Sequence, residues 1–136
     1  MNRRDLFLFL FLQMFAVVWA GAVFALIEER RVAGALAGGY FVVSGLVMVV
    51  KAWWWGDTWR ALCWYPLLAH VFAISLPMVI TRFMHVQLAF SEVKIWGLEG
   101  PQFHRLSSAV FGALVAATVI DLARVLRKNR TRSASV

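Results

Sequence analysis

LFLFLFLQMFAVVWAGAVFALI, residues 6–27, contains no charge and one strongly polar side chain, Gln13. A helix rises about 1.5 Å per residue, so a stretch of this length spans the roughly 30 Å hydrocarbon layer of a bilayer with every backbone amide paired internally. Charges bound it on both sides: Arg3, Arg4 and Asp5 before, Glu28, Glu29, Arg30 and Arg31 after. The charged start followed by an apolar run resembles a signal peptide, but the run is too long for such a core, and we read it as a retained first span.

Three further stretches meet the same criterion. They run over about residues 32–50, stopped by Lys51; about 61–83, with a continuation to 96 as an open alternative; and about 106–126, closed by Arg127, Lys128, Arg130 and Arg132. The chain has 136 residues, of which 62% are hydrophobic and 15% charged, against about 25% charged in soluble domains. The expectation is therefore an all-α, single-domain membrane bundle of four transmembrane helices. Residues 133–136 are expected to be a frayed tail.

Lys and Arg set the orientation, because positive residues are retained on the cytoplasmic side. Arg3, Arg4, Lys51, Arg60, Arg124, Arg127, Lys128, Arg130 and Arg132 fall on one side, and only Arg30, Arg31, Arg82, Lys94 and Arg105 on the other. Both termini are thus expected in the cytoplasm, with the chain in the cell inner membrane. The net charge of +7 is spread over ends and connections rather than gathered in a stripe, which argues against a nucleic-acid partner. Trp53, Trp54, Trp55, Trp59 and Trp64, with Trp96 on the opposite side, read as an interfacial aromatic belt.

Lipid solvates Leu and Phe as well as a neighbouring helix does, so helix association rests on small residues and a few hydrogen bonds. Ala16/Ala20 and Gly21/Ala25 provide four-residue tracks in the first span, and Gly34/Gly38 and Ala35/Gly39 in the second. Ser108/Gly112/Ala116 and Ala109/Ala113/Ala117 do so in the fourth. They are expected inside the bundle, with self-association through one of them as the other use.

Ionisable residues at bilayer depth are costly and tend to face a bundle interior. Gln13, Ser44, His70, Thr118 and Asp121 fall in one layer, counted from the terminal side. One reading is structural, with Asp121 offsetting Arg124 or Lys51; the other is a proton, ion or ligand site built on His70 and Asp121. Pro77 should free the carbonyl of Ala73 and kink the third helix. Gly97, Gly100 and Pro101 should turn the chain, and Ser107 and Ser108 should cap the fourth helix.

No phosphate-binding glycine loop, nucleophile motif or zinc-protease signature is present, so no soluble-type catalytic mechanism has residues to carry it. Cys63 is the only cysteine, which excludes an intrachain disulfide. Of the three histidines, His85 and His104 are the weak candidates for an outer metal site, and His70 is the only one at mid-membrane depth. Two facing imidazoles for haem are therefore missing, and no cofactor is expected.

Trp19, Gly21 and Phe24, the run Val32 to Gly38, Leu76-Pro77-Met78 with Arg82, and Pro101 to Ser108 resemble the small membrane proteins grouped as domain of unknown function 4149, similar to transmembrane protein 205 of animals. That family's apolar-Ala-Pro element after the first span is replaced here by Ala25-Leu26-Ile27-Glu28. The resemblance implies four-helix architecture and carries no catalytic residue. Phe83 to Leu88 is similar, more faintly, to an element of four-helix protoporphyrinogen oxidases and copper-resistance domains. Here Gln87 replaces its lysine and the first-helix histidine is absent. The expected role is an accessory or scaffold subunit binding other membrane proteins or lipid, or associating with itself. The alternatives are a transport component using the His70/Asp121 layer and a haem-linked oxidoreductase.

Overall fold

The computed structural model describes residues 2–85 and 87–133, with side chains up to residue 130. Val86 and residues 134–136 of the expected tail lie outside the described residues. Four helices are long and apolar enough to cross a membrane: Arg3–Leu26, Arg30–Trp53, Trp64–Met84 and one that runs Gly100–Ser133. The first, second and fourth exceed their apolar stretches because charged and polar residues extend them past the greasy part, whereas the third starts at Trp64, after a short 3-10 turn at Thr58–Arg60, rather than at residue 61. Arg3, Arg4 and Asp5 form the first turn of the first helix, where the Asn2 side chain accepts from Arg4 N–H at 3.0 Å. That contact satisfies one of the orphan amides of a helix start.

The first helix packs along the second and the fourth, and the third closes the bundle against the second and fourth. Asn2 and Arg3 from the start of the first helix and Asn129 from late in the fourth line one cavity, so these two helix ends lie at the same end of the bundle, called the terminal end below. The main core, at and below this terminal end, joins Leu6, Phe9, Met48, Ala52, Trp55, Leu67, Val71, Leu114 and Leu122.

The third helix changes form along its length. Trp64–Leu68 is α-helical, Ala69–Ser75 is π-helical, and Leu76–Met84 is α-helical again. The widened stretch ends two residues before Pro77, and at its end Leu76 N–H donates to Val71 O, five residues back. Pro77 has no N–H to offer Ala73. The Ala73 carbonyl instead accepts from the Trp96 indole N–H at 3.0 Å.

The third helix does not continue to residue 96. It ends at Met84, and the chain returns as a two-stranded hairpin, β1 (Lys94–Ile95) antiparallel to β2 (Leu98–Glu99). Trp96 and Gly97, with φ of 53° and 79°, make the two-residue turn with both centres left-handed that matches strand twist. Holding Trp96 there costs about 1–2 kcal/mol, which the indole bond to Ala73 offsets. The hairpin touches both Leu76–Met84 and the fourth helix, and Val93 and Ile95 join Ile74 and Phe103 in a second core. It therefore fills the space between the upper parts of the third and fourth helices.

Ser107 and Ser108 do not cap the fourth helix. It starts at Gly100, with Pro101 in the first turn, where a missing N–H costs nothing. Gly100 is required because a Cβ there would run into the Phe90 carbonyl. Ser108 Oγ donates to His104 O at 3.0 Å, one turn back.

Close helix approach uses part of the expected tracks, at Ala16 and Gly38, and small residues outside them. In the second helix Ala33, Ala37 and Gly45 are buried, and a Cβ at Gly45 would lie 2.5 Å from Val71 Cγ2. A Cβ at Gly38 would lie 3.1 Å from Val79 Cγ2, so this expected position does face the third helix. Ala16 is buried, whereas Gly21, Ala25, Ser108, Ala109, Gly112, Ala113 and Ala116 face outward. Gly45→Ala should therefore lower the stability of the detergent-purified chain by about 1–3 kcal/mol through overpacking against a stiff valine. Gly112→Ala, which meets nothing within 4 Å, should leave it equal or raise it by up to about 1 kcal/mol through helix propensity. Thermal unfolding followed by circular dichroism compares the two, and equal losses would remove the packing argument.

Candidate functional site: the buried polar layer

Gln13, Ser44, His70, Thr118 and Asp121 are all buried, in a protein whose apolar side chains mostly face outward. The structure brings them together in part. Gln13 Nε2 donates to Thr118 Oγ1 at 2.9 Å and lies 3.8 Å from Met48 Sδ, while Thr118 Oγ1 donates to Leu114 O at 2.8 Å. This chain ties the first helix to the fourth with the second alongside. Ser44 Oγ bonds back to Phe41 O at 3.3 Å within its own helix.

His70 belongs to a second group. Its Nε2 lies 3.2 Å from Ser75 Oγ, and its ring packs edge-on to Phe41 at 5.7 Å and tilted on Phe111 at 5.3 Å between centroids. Residues five apart do not share a face of an α-helix, whose neighbours are three and four apart. The π-helical segment brings Ser75 round to His70, which is why α-helical spacing gives no hint of this pair.

Asp121 belongs to a third. Its Oδ2 accepts from the Cys63 N–H at 2.9 Å, and its Oδ1 lies 3.6 Å from the Arg124 guanidinium. A buried carboxylate thus meets the amide at the start of the third helix, where the helix dipole favours negative charge. The ion pair with Arg124 matches the structural reading of Asp121, but the contact with Cys63 N–H needs the tertiary fold to be seen. Burial and the adjacent Asp121 push the Cys63 thiol up to about 12, so it stays a neutral, packed SH group outside the helix it precedes.

Among the described residues, Gln13 Oε1, His70 Nδ1 and Asp121 Oδ1 are buried with no hydrogen-bond partner, as is Arg82 NH1 near the opposite end. Arg82 stacks over the Phe90 ring at 5.5 Å. His85 and His104 are exposed, and among the described residues no group of three or more His, Cys, Asp or Glu side chains could hold a metal.

The tryptophans divide. Trp53, Trp54, Trp59 and Trp96 are exposed and Trp64 is half-buried. Trp55 leaves the belt: it is 7% exposed, stacks on Phe9 at 5.3 Å, and donates its indole N–H to Asp5 Oδ2 at 3.2 Å. Its position in a run of three tryptophans disguised a core residue that anchors the connection onto the first helix.

Asp121→Ala should destabilise the purified protein by about 1–3 kcal/mol, because it leaves the buried Cys63 amide without an acceptor. Asp121→Asn keeps an acceptor oxygen and should cost less. In the wild type, Cys63 should resist maleimide at pH 8 until the protein is denatured. Rapid labelling of the folded chain, or equal melting of the two variants, would contradict this assignment. No family model, curated protein or solved structure matches the chain.

Proposed function

We propose that the protein is a multi-pass protein of the cell inner membrane, with both termini cytoplasmic, that serves as an accessory or scaffold subunit for other membrane proteins. The sidedness rests on the positive excess at the terminal end. The likeness to the domain of unknown function 4149 and transmembrane protein 205 group is part of the same proposal and adds no site.

The observation that carries the role is the outward face of the fourth helix. Ser108, Gly112 and Ala116, with Ala109 and Ala113 beside them, are exposed, and a Cβ on Gly112 meets nothing. Lipid gains nothing from small residues, whereas another helix gains close backbone approach. The occupant is a helix of another membrane subunit or of a second copy of this chain.

A specific observation favours a second reading, a transport or permeation component. Among the described residues two of the layer's buried polar atoms, Gln13 Oε1 and His70 Nδ1, have neither a hydrogen-bond nor an ion-pair partner, and π-helical segments such as that carrying His70 recur at functional sites. Under that reading His70→Ala changes flux or stress-dependent growth while protein level holds.

Gly112→Leu should abolish co-purification with a partner, or with a differently tagged copy, from mild detergent while leaving the amount of folded protein unchanged. Recovery of the wild type only as an isolated monomer counts against the scaffold role. A tag on the carboxyl end that is reached from outside intact cells inverts the orientation.

A further inference from the structure

The terminal end holds a cavity of about 920 Å³ that the polar layer does not share. It is lined by Asn2, Arg3 and Asp5 of the first helix, Val50, Lys51, Trp54, Trp55 and Gly56 at the end of the second, and Val125 and Asn129 of the fourth. Two cations face it against one carboxylate, and that carboxylate already accepts the Trp55 indole N–H at 3.2 Å. Among the described residues neither Arg3 nor Lys51 is ion-paired; Arg3 lies over the Phe7 ring at 5.5 Å.

We infer that this cavity receives the phosphate of an anionic glycerophospholipid headgroup, with Arg3 and Lys51 as its cationic contacts. The shared chemistry is a phosphate monoanion, and three features point to a lipid rather than a free ion. Val50 lines the cavity and also begins the exposed apolar face of the second helix, which continues through Val47, Leu46 and Val43 and offers acyl chains a track. Trp53, Trp54 and Trp59 stand exposed around the same end, at the depth indoles take among headgroups. Basic recesses between helices on the cytoplasmic side suit anionic headgroups, where each Lys or Arg adds about 1 kcal/mol. Asn2 and Asn129 supply neutral polar rims on either side.

The inference rests on the bilayer placement proposed above, and its test keeps the two separate. The full chain in mild detergent is titrated with short-chain phosphatidylglycerol, with phosphatidylcholine of the same chain length, and with inorganic phosphate. Thermal midpoint and tryptophan fluorescence are read, and membrane fractionation is run in parallel. Phosphatidylglycerol should raise the midpoint and change the fluorescence saturably, while the other two should do neither.

The double variant Arg3→Gln/Lys51→Gln, whose sites are exposed, should weaken that affinity at least about tenfold. Arg60→Gln/Arg130→Gln, which removes equal charge from the same end outside the cavity, should change it less than about twofold. Equal loss in both pairs, or an equal response to phosphatidylcholine, overturns the site. An equal response to inorganic phosphate overturns the lipid assignment. A chain found only in the soluble fraction defeats the bilayer placement instead. Should the Gln pair melt early without lipid, Lys51→Glu alone must reproduce the loss of phosphatidylglycerol binding, and retained binding there also overturns the proposal.

Discussion

The bond from the Trp96 indole N–H to the Ala73 carbonyl ties the returning chain to the middle of the third helix. Pro77 offers Ala73 no α-helical amide, and in the bilayer proposed here an unpaired carbonyl costs several kcal/mol, so a further donor to this stretch of backbone is stabilising. The donor is the Trp96 indole, 3.0 Å away. To deliver it, the chain after Met84 must fold back, make a left-handed turn at Trp96 and Gly97, and lay Val93 and Ile95 against Ile74 and Phe103. The hairpin, the close approach of Phe90 to Gly100 and the start of the fourth helix accompany that bond. The two short strands pair with each other, and of the hairpin Ile95 is buried while Lys94, Trp96, Gly97 and Glu99 are exposed.

The same proline shapes the layer below. The π-helical stretch ending at Ser75 turns Ser75 to His70 and carries Val71 against Gly45, where the absence of a Cβ lets the second helix come close. Gln13 and Thr118 then link the first and fourth helices, and Asp121 holds the start of the third. Gln13, Thr118 and Asp121 thus join separate segments, while His70 and Ser75 pair within one and Ser44 bonds back into its own helix. In the bilayer proposed here such bonds matter, because packing against lipid does not distinguish one arrangement of greasy helices from another.

Much of this was legible from the chain itself. Four apolar stretches and their flanking charges locate four helices, since length and hydropathy follow directly from bilayer thickness. The five layer residues could be named by counting depth, and Ala73 was identified as the carbonyl Pro77 abandons. Tertiary facts were not legible. Trp96 reads as one more interfacial indole until the hairpin aims it, Trp55 looks like its two neighbours until Phe9 and Asp5 receive it, and Ser75 is silent under α-helical spacing. The small-residue tracks misled for a related reason: four-residue spacing marks a face fit for close contact without saying whether the partner is in the same chain. Ala33, Ala37 and Gly45 met internal partners, while the track through Gly112 points outward.

The two ends of the bundle are built differently, and the difference bears on what the molecule can do. At the end opposite the terminal end, the hairpin packs between the third and fourth helices through Ile95, with Val93 beside it. At the terminal end the helices leave a polar recess, but its floor is closed: Trp55 stacks on Phe9, and Leu6 and Ala52 are buried in the same cluster. A charged species entering from that side therefore meets Arg3 and Lys51 and then a packed apolar plug before it could reach Gln13 or His70. An arrangement for permeation would place polar groups continuously along that route, whereas here they stop at the recess and resume below the plug. Retention of a headgroup at the rim, with partners docking along the fourth helix, uses both features as they stand.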